Sequence, residues 1–124
     1  MSYWTHVSGI IYVEDWSCLD NTASVNLKEV ACKGLPSGTE DGLTVEVITR
    51  SSIDDEYPNR YKAISIFGEL RDFYSKDCDK LKSWWNNLKQ EFGKHVEVRQ
   101  AIMIIEPDDG SEIILKEAMK EQEQ

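Results

Sequence analysis

Few side chains in this sequence are equipped for covalent or acid–base chemistry. There are two histidines, His6 and His95, and three cysteines, Cys18, Cys32 and Cys78. Carboxylates run in clusters: Glu14-Asp15, Glu40-Asp41, Asp54-Asp55-Glu56 and Asp108-Asp109. A histidine held by a carboxylate works as a general base, a cysteine beside such a base is a nucleophile, and convergent carboxylates hold a hard cation. Local spacing spells out none of these sets. No cysteine has a histidine beside it to draw off its proton, so all three thiols read as small packed apolar groups. The Asp54 to Glu56 run has no EF-hand spacing, and such runs in an acidic chain are mostly solvated loop charges. There is no GxSxG, no phosphate-cradling Gly-rich loop, no HExxH and no Cys/His zinc spacing. The expectation is a non-enzymatic protein with no cofactor and no bound metal.

The two histidines differ in setting. His95 follows the end of a predicted helix, where a cation complements the helix dipole. His6 lies on a predicted strand between Trp4 and Ser8, on its outward face. The tripeptide His6-Val7-Ser8 resembles one half of the paired His-x-Ser/Thr motif of two-histidine phosphoesterases, but Val96 and Glu97 follow His95, so the second half is missing. Val7 to Glu14 is similar to the opening strand and phosphate loop of acylphosphatases. That loop supplies an arginine, whereas here Asp15, Trp16 and Ser17 follow.

Charge narrows the partners. The 124 residues carry 23 acids and 14 bases, a formal net charge of −9. Phosphate backbones and anionic membranes are recognised by clustered Lys and Arg, so neither nucleic acid nor a membrane surface is expected. A basic protein surface suits this charge better. The opening MSYWTHVSGI has neither a basic nor an apolar signal region, and the longest apolar run, Ala101 to Ile105, is far too short to span a bilayer. With three widely spaced cysteines, the expectation is a cytoplasmic, reduced protein.

Periodicity supplies the elements that must position any site. Thr5 to Glu14 alternates as a strand, with Val7, Gly9, Ile11 and Val13 on one face. Asn26 and Glu29 make a capping-box-like start to a helix that Gly34 and Pro36 close. Leu43 to Arg50 is a second strand with Leu43, Val45 and Val47 inward. Tyr61 to Leu70 is a third, with Ile64, Ile66 and Leu70 inward. Asp77 is the expected cap of a second helix ending at Gly93. Val96 to Glu106 is a fourth strand, and Asp109-Gly110 turns the chain into a short fifth one, although Ile114, Leu115, Ala118 and Met119 also suit a helix face. The order predicts one α+β domain over residues 1–124 with a frayed tail from about residue 118. Two helices would cover one face of an antiparallel sheet, a ferredoxin-like β-α-β-β-α-β arrangement plus a short C-terminal strand.

Cys78, Leu81, Trp85, Leu88 and Phe92 recur at helical spacing, which makes Trp85 core and leaves Trp84 on the flank. Trp84 is therefore a candidate partner anchor, together with Tyr61, since aromatics supply binding hot spots. The acidic loops, Glu40, Asp41, Asp54, Asp55 and Glu56, would steer a basic partner toward it. The sheet face away from the helices carries Trp4, His6, Ile10, Tyr12, Ile48, Tyr61 and Phe67, too apolar for water alone. A homo-oligomer would cover it, as would the chain's own strand-five hairpin, its Asp15 to Val25 loop or a partner. The alternative is a small planar ligand such as a nucleotide held by Trp4, His6, Tyr12 and Phe67, with Arg50, Lys62 and Arg99 as the nearby bases.

MSYWTH at the start and LPSGTEDGL further on resemble a group of small uncharacterised phage proteins that begin Met-Ser-Tyr-Trp-Thr-His. The similarity covers Met1 to Gly9 and Leu35 to Leu43. Thr39 stands where that group has serine, and the segment between is shorter and differently composed. No residue role transfers. The resemblance implies a phage accessory protein, such as an inhibitor of a host defence or regulatory protein.

Overall fold

A computed structural model describes residues 3–17, 25–36, 42–50 and 60–118. The elements follow as β1 (Trp4–Glu14), α1 (Leu27–Cys32), β2 (Leu43–Arg50), β3 (Tyr61–Arg71), α2 (Cys78–Gly93), β4 (Glu97–Pro107) and β5 (Ile113–Ala118). The strands form one antiparallel sheet in the order β2-β3-β1-β4-β5. The segment after Gly110, ambiguous between helix and strand from its apolar spacing, is a strand because Asp109 turns the chain. Its carboxylate accepts hydrogen bonds from the Ser111 N–H and hydroxyl at 2.9 and 2.6 Å. Ala118 still belongs to β5, and the rest of the expected tail lies outside the described residues.

Alternation sorts each strand into two faces. Val7, Ile11 and Val13 of β1, Val45 of β2, Ile64 and Ile66 of β3, and Met103 and Ile105 of β4 are buried on the inner face. They join Leu27 and Ala31 of α1 and Leu81, Trp85, Leu88 and Phe92 of α2 in a single core, so both helices cover the same side of the sheet. Gly9 interrupts the inward set of β1 for a steric reason. A Cβ there would stand 3.3 Å from the Trp85 ring and 3.2 Å from the Ile102 carbonyl oxygen. The glycine lets the largest core side chain lie on the strand.

The helix ends follow their capping chemistry only in part. Asn26 accepts a hydrogen bond from the Glu29 N–H at 3.1 Å, and Gly34 leaves α1 at φ 65°. Asp77 stands at the N-cap of α2 but makes no side-chain cap, a correction to the expectation from sequence. Its carboxylate accepts the Tyr74 N–H at 2.9 Å instead, closing the 3-10 turn Ser75–Asp77 ahead of the helix. Among the described residues, no helix is long and apolar enough to cross a membrane.

Candidate functional site

Side chains on the outer sheet face have no helix above them. Ile10 (42%), Tyr12 (41%), Ile48 (58%), Phe67 (51%) and Ile114 (53%) are exposed there, all but one of the large exposed apolar side chains among the described residues. Ile102 and Ile104 lie half-buried between them. Register sets their spacing. One row across the sheet reads Glu46, Ser65, Ile10, Ile102, Lys116, and the next reads Thr44, Phe67, Ser8, Ile104, Ile114.

The planar-ligand candidates meet this geometry unevenly. Tyr12 is opposite Ala63 and Phe67 is opposite Ser8, so the two rings are offset by four residues along the strands, about 13 Å. They do not clamp one ring from its two sides. His6 is exposed at the far end, its Nδ1 3.4 Å from Glu69 Oε2. Trp4 is half-buried at the margin, with the Arg71 guanidinium 6.0 Å over its ring. The bases expected nearby are already engaged: Lys62 with Asp15, Arg99 with Glu14 and Glu97, and Arg50 with the Tyr61 ring at 5.5 Å.

Trp84 is on the other side of the sheet, half-buried on the flank of α2 as its helical position requires, with its ring 6.5 Å from that of Trp85. It forms one wall of a groove of about 500 Å³ between the helices. Val25, Asn26, Glu29, Val30 and Lys33 make the bank on the α1 side, and Trp84, Asn87, Leu88, Glu91 and His95 make the bank on the α2 side. Val25, Val30 and Trp84 give the groove an apolar lining that packs against the core. Glu29 and Glu91 put one carboxylate on each bank. Glu91 is already paired, with Oε1 3.3 Å from Lys94 Nζ and Oε2 3.9 Å from His95 Nε2. A second groove, of about 550 Å³, runs between α2 and β4 past Asn86, Lys89, Val98 and Ala101.

Sequence reasoning missed a cluster where β1 ends and β3 begins. Lys62 Nζ is 2.7 Å from Asp15 Oδ2, and both side chains are close to fully buried. The pair Glu14-Asp15 is thus no solvated loop pair, because antiparallel pairing sets the end of β1 beside the start of β3. Burial alone would raise the Asp15 carboxyl, but the Lys62 ammonium and the Ser17 N–H and hydroxyl outweigh it and hold the group below its ordinary value. The Arg60 guanidinium is held between the Trp16 ring at 4.7 Å and the Tyr61 ring at 4.2 Å. Glu97 accepts the Trp16 indole N–H at 3.1 Å. That bond, opposed by burial and helped by Arg99, lowers its carboxyl as well. Three acids and three bases neutralise one another, and the arrangement locks the sheet end. Tyr61, expected as a partner anchor, has its ring under Arg60. The signal available in sequence was the Arg60-Tyr61-Lys62 run opposite Glu14-Asp15, legible only once β1 and β3 are paired.

Cys78 is buried in the core, which pushes its thiol up and away from nucleophilic use, and Cys32 is exposed. Among the described residues, no three His, Cys, Asp or Glu side chains gather as metal ligands. Cys18 and the acidic candidates Glu40, Asp41, Asp54, Asp55 and Glu56 lie outside the described residues. Comparison with protein-family models, with curated proteins and with solved structures returned no match.

Proposed function

We propose that this chain is a non-enzymatic, acidic binding protein that takes a basic segment of a partner protein into the groove between α1 and α2. The observation that carries this reading is Trp84, a large aromatic side chain left half-buried on the wall of a groove of about 500 Å³. An apolar side chain of the partner fits against Trp84, Val25 and Val30, while Glu29 receives its lysine or arginine and Glu91, which holds Lys94 at 3.3 Å, must exchange that partner for a second one. The net charge of −9 favours encounter with such a partner, and the acidic runs at Glu40-Asp41 and Asp54-Asp55-Glu56 steer it.

The wider reading keeps the ferredoxin-like arrangement with an added fifth strand. What supports it is β1 lying between β3 and β4, with β2 and β5 at the two edges. The resemblance at Met1 to Gly9 and Leu35 to Leu43 supports a phage-encoded inhibitor acting on a host defence or regulatory protein in the cytoplasm. Sequestration of a nucleotide by Trp4, His6, Tyr12 and Phe67 is the weaker reading, because Tyr12 and Phe67 are too far apart to hold one ring.

Fluorescence anisotropy with labelled peptides tests the groove. Peptides alternating lysine or arginine with leucine or phenylalanine are expected to bind saturably to the wild type. Trp84→Ala abolishes that binding, Glu29→Lys weakens it, and peptides with glutamate in place of the bases do not bind. Binding that is indifferent to Trp84→Ala, or absent for every basic peptide, overturns the proposal.

A further inference from the structure

We infer that the outer face of the sheet seats a second copy of this chain, the two sheets packing face to face about a two-fold axis that runs within about 15° of β1. The groove between the helices is on the opposite side of the sheet, so this inference is independent of what binds there.

The face has the composition of an interface core. In the two central rows Ile10, Phe67, Ile102 and Ile104 occupy the middle three strands, with Glu46 and Lys116 at the two edge strands, while the charged row Glu69, His6, Glu106 lies at one end of the face. Its area also suffices. Strands of 6 to 11 residues, about 4.8 Å apart with a rise of about 3.3 Å per residue, give roughly 700 Å² per copy. Two copies would hide about 1,400 Å², within the roughly 1,200–2,000 Å² of stable interfaces.

Charge in the central row selects the orientation. Glu46 and Lys116 end the same cross-strand row, with Ser65, Ile10 and Ile102 between them. A two-fold along β1 reverses that row in the second copy, so each Glu46 faces the other copy's Lys116 and Ile10 faces its own equivalent. A two-fold across the strands would instead set Glu46 on Glu46 and Lys116 on Lys116. Sheets packed face to face cross at about 30°, which at an edge strand two spacings from the axis is a displacement of about 5 Å, within reach of a lysine side chain. The same axis seats Phe67 over Ile104 of the second copy and brings Glu69 opposite Glu106 at the exposed end of the face, where solvent screens the like charges.

Sedimentation equilibrium at tens of micromolar tests the inference. The wild type is expected at twice the 14.3 kDa chain mass. Ile10→Glu, on an exposed side chain, is expected to return it to one chain with an unchanged far-UV circular dichroism spectrum. Glu46→Lys and Lys116→Glu each create two like-charge contacts in the symmetric pair and weaken it roughly tenfold or more. Mixing the Glu46→Lys chain with the Lys116→Glu chain restores a tight heterodimer, because both contacts then join opposite charges. A wild type that stays at one chain mass, or a dimer indifferent to Ile10→Glu, overturns the inference. A mixture that fails to re-form overturns the stated orientation.

Discussion

Lys62 and Asp15 meet at 2.7 Å across the β1–β3 pair, nearly sealed from water, and the Asp15 N–H donates to the Arg60 carbonyl at 2.6 Å. Side chain and main chain together fasten the end of β1 to the start of β3. Removing one member of a buried pair leaves the other charge without compensation. Lys62→Ala is therefore expected to cost about 3 kcal/mol, more than the pair is worth net. Urea unfolding measures it, and a loss below about 1 kcal/mol would mean that the ammonium is solvated like a surface pair.

Acid should weaken the fold through the same cluster. Asp15 is lowered by Lys62 and Ser17 against the opposing effect of burial, and Glu97 is lowered chiefly by the Trp16 indole. Each group binds its proton more weakly in the folded chain than in the unfolded one. Their stabilisation is thus complete above the ordinary carboxylate range, about pH 4 to 5, and is lost as pH falls through the lowered native values. Urea midpoints at about pH 6 and about pH 3 are expected to differ strongly in the wild type and less in Lys62→Ala. Equal midpoints in the wild type would show that neither carboxylate contributes.

How much of this was legible in the sequence divides along a physical line. Alternation and helical spacing depend only on neighbours in the chain, so the inward sets of β1, β2 and β3 and the core position of Trp85 were readable before any pairing was known. Lys62 has the inward parity of β3, yet sequence alone offers it only as a base near the outer face, because its partner is 47 residues away. Position alone makes Asp77 a cap, but the preceding 3-10 turn claims its carboxylate. The groove wall at Trp84 was half legible: the helix fixed its flank position, while α1, which makes the facing bank, needed the fold.

Gly9 is expected to tolerate no branched side chain. A Cβ at that position already sits 3.3 Å from the Trp85 ring, so valine must push the ring off β1. Gly9→Val should cost about 1–3 kcal/mol by overpacking. The double variant Gly9→Val, Trp85→Leu should recover part of that loss, since the two sites share one contact. Thermal denaturation of the four chains closes the cycle, and strict additivity would show that the cost lies in the β1 backbone and not in the ring.

Trp84 and Trp85 are adjacent in sequence, yet opposite outcomes are expected from their truncation. Trp85 is 1% exposed and packs against Gly9 and the inner face of the sheet. Trp85→Ala opens a large cavity and should cost about 3–5 kcal/mol. Trp84 keeps one side of its ring on the groove, so Trp84→Ala removes fewer contacts and should cost about 1 kcal/mol, close to an average substitution. Acrylamide separates the two without reference to stability: the Trp84→Phe chain should lose a quenchable part of the emission, and the Trp85→Phe chain an unquenched part. If Trp84→Ala instead unfolds the chain as Trp85→Ala does, the groove wall is part of the core and the partner anchor must be sought elsewhere. If the fold survives and basic peptides no longer bind, the same side chain that periodicity put on the helix flank is the one that makes the contact.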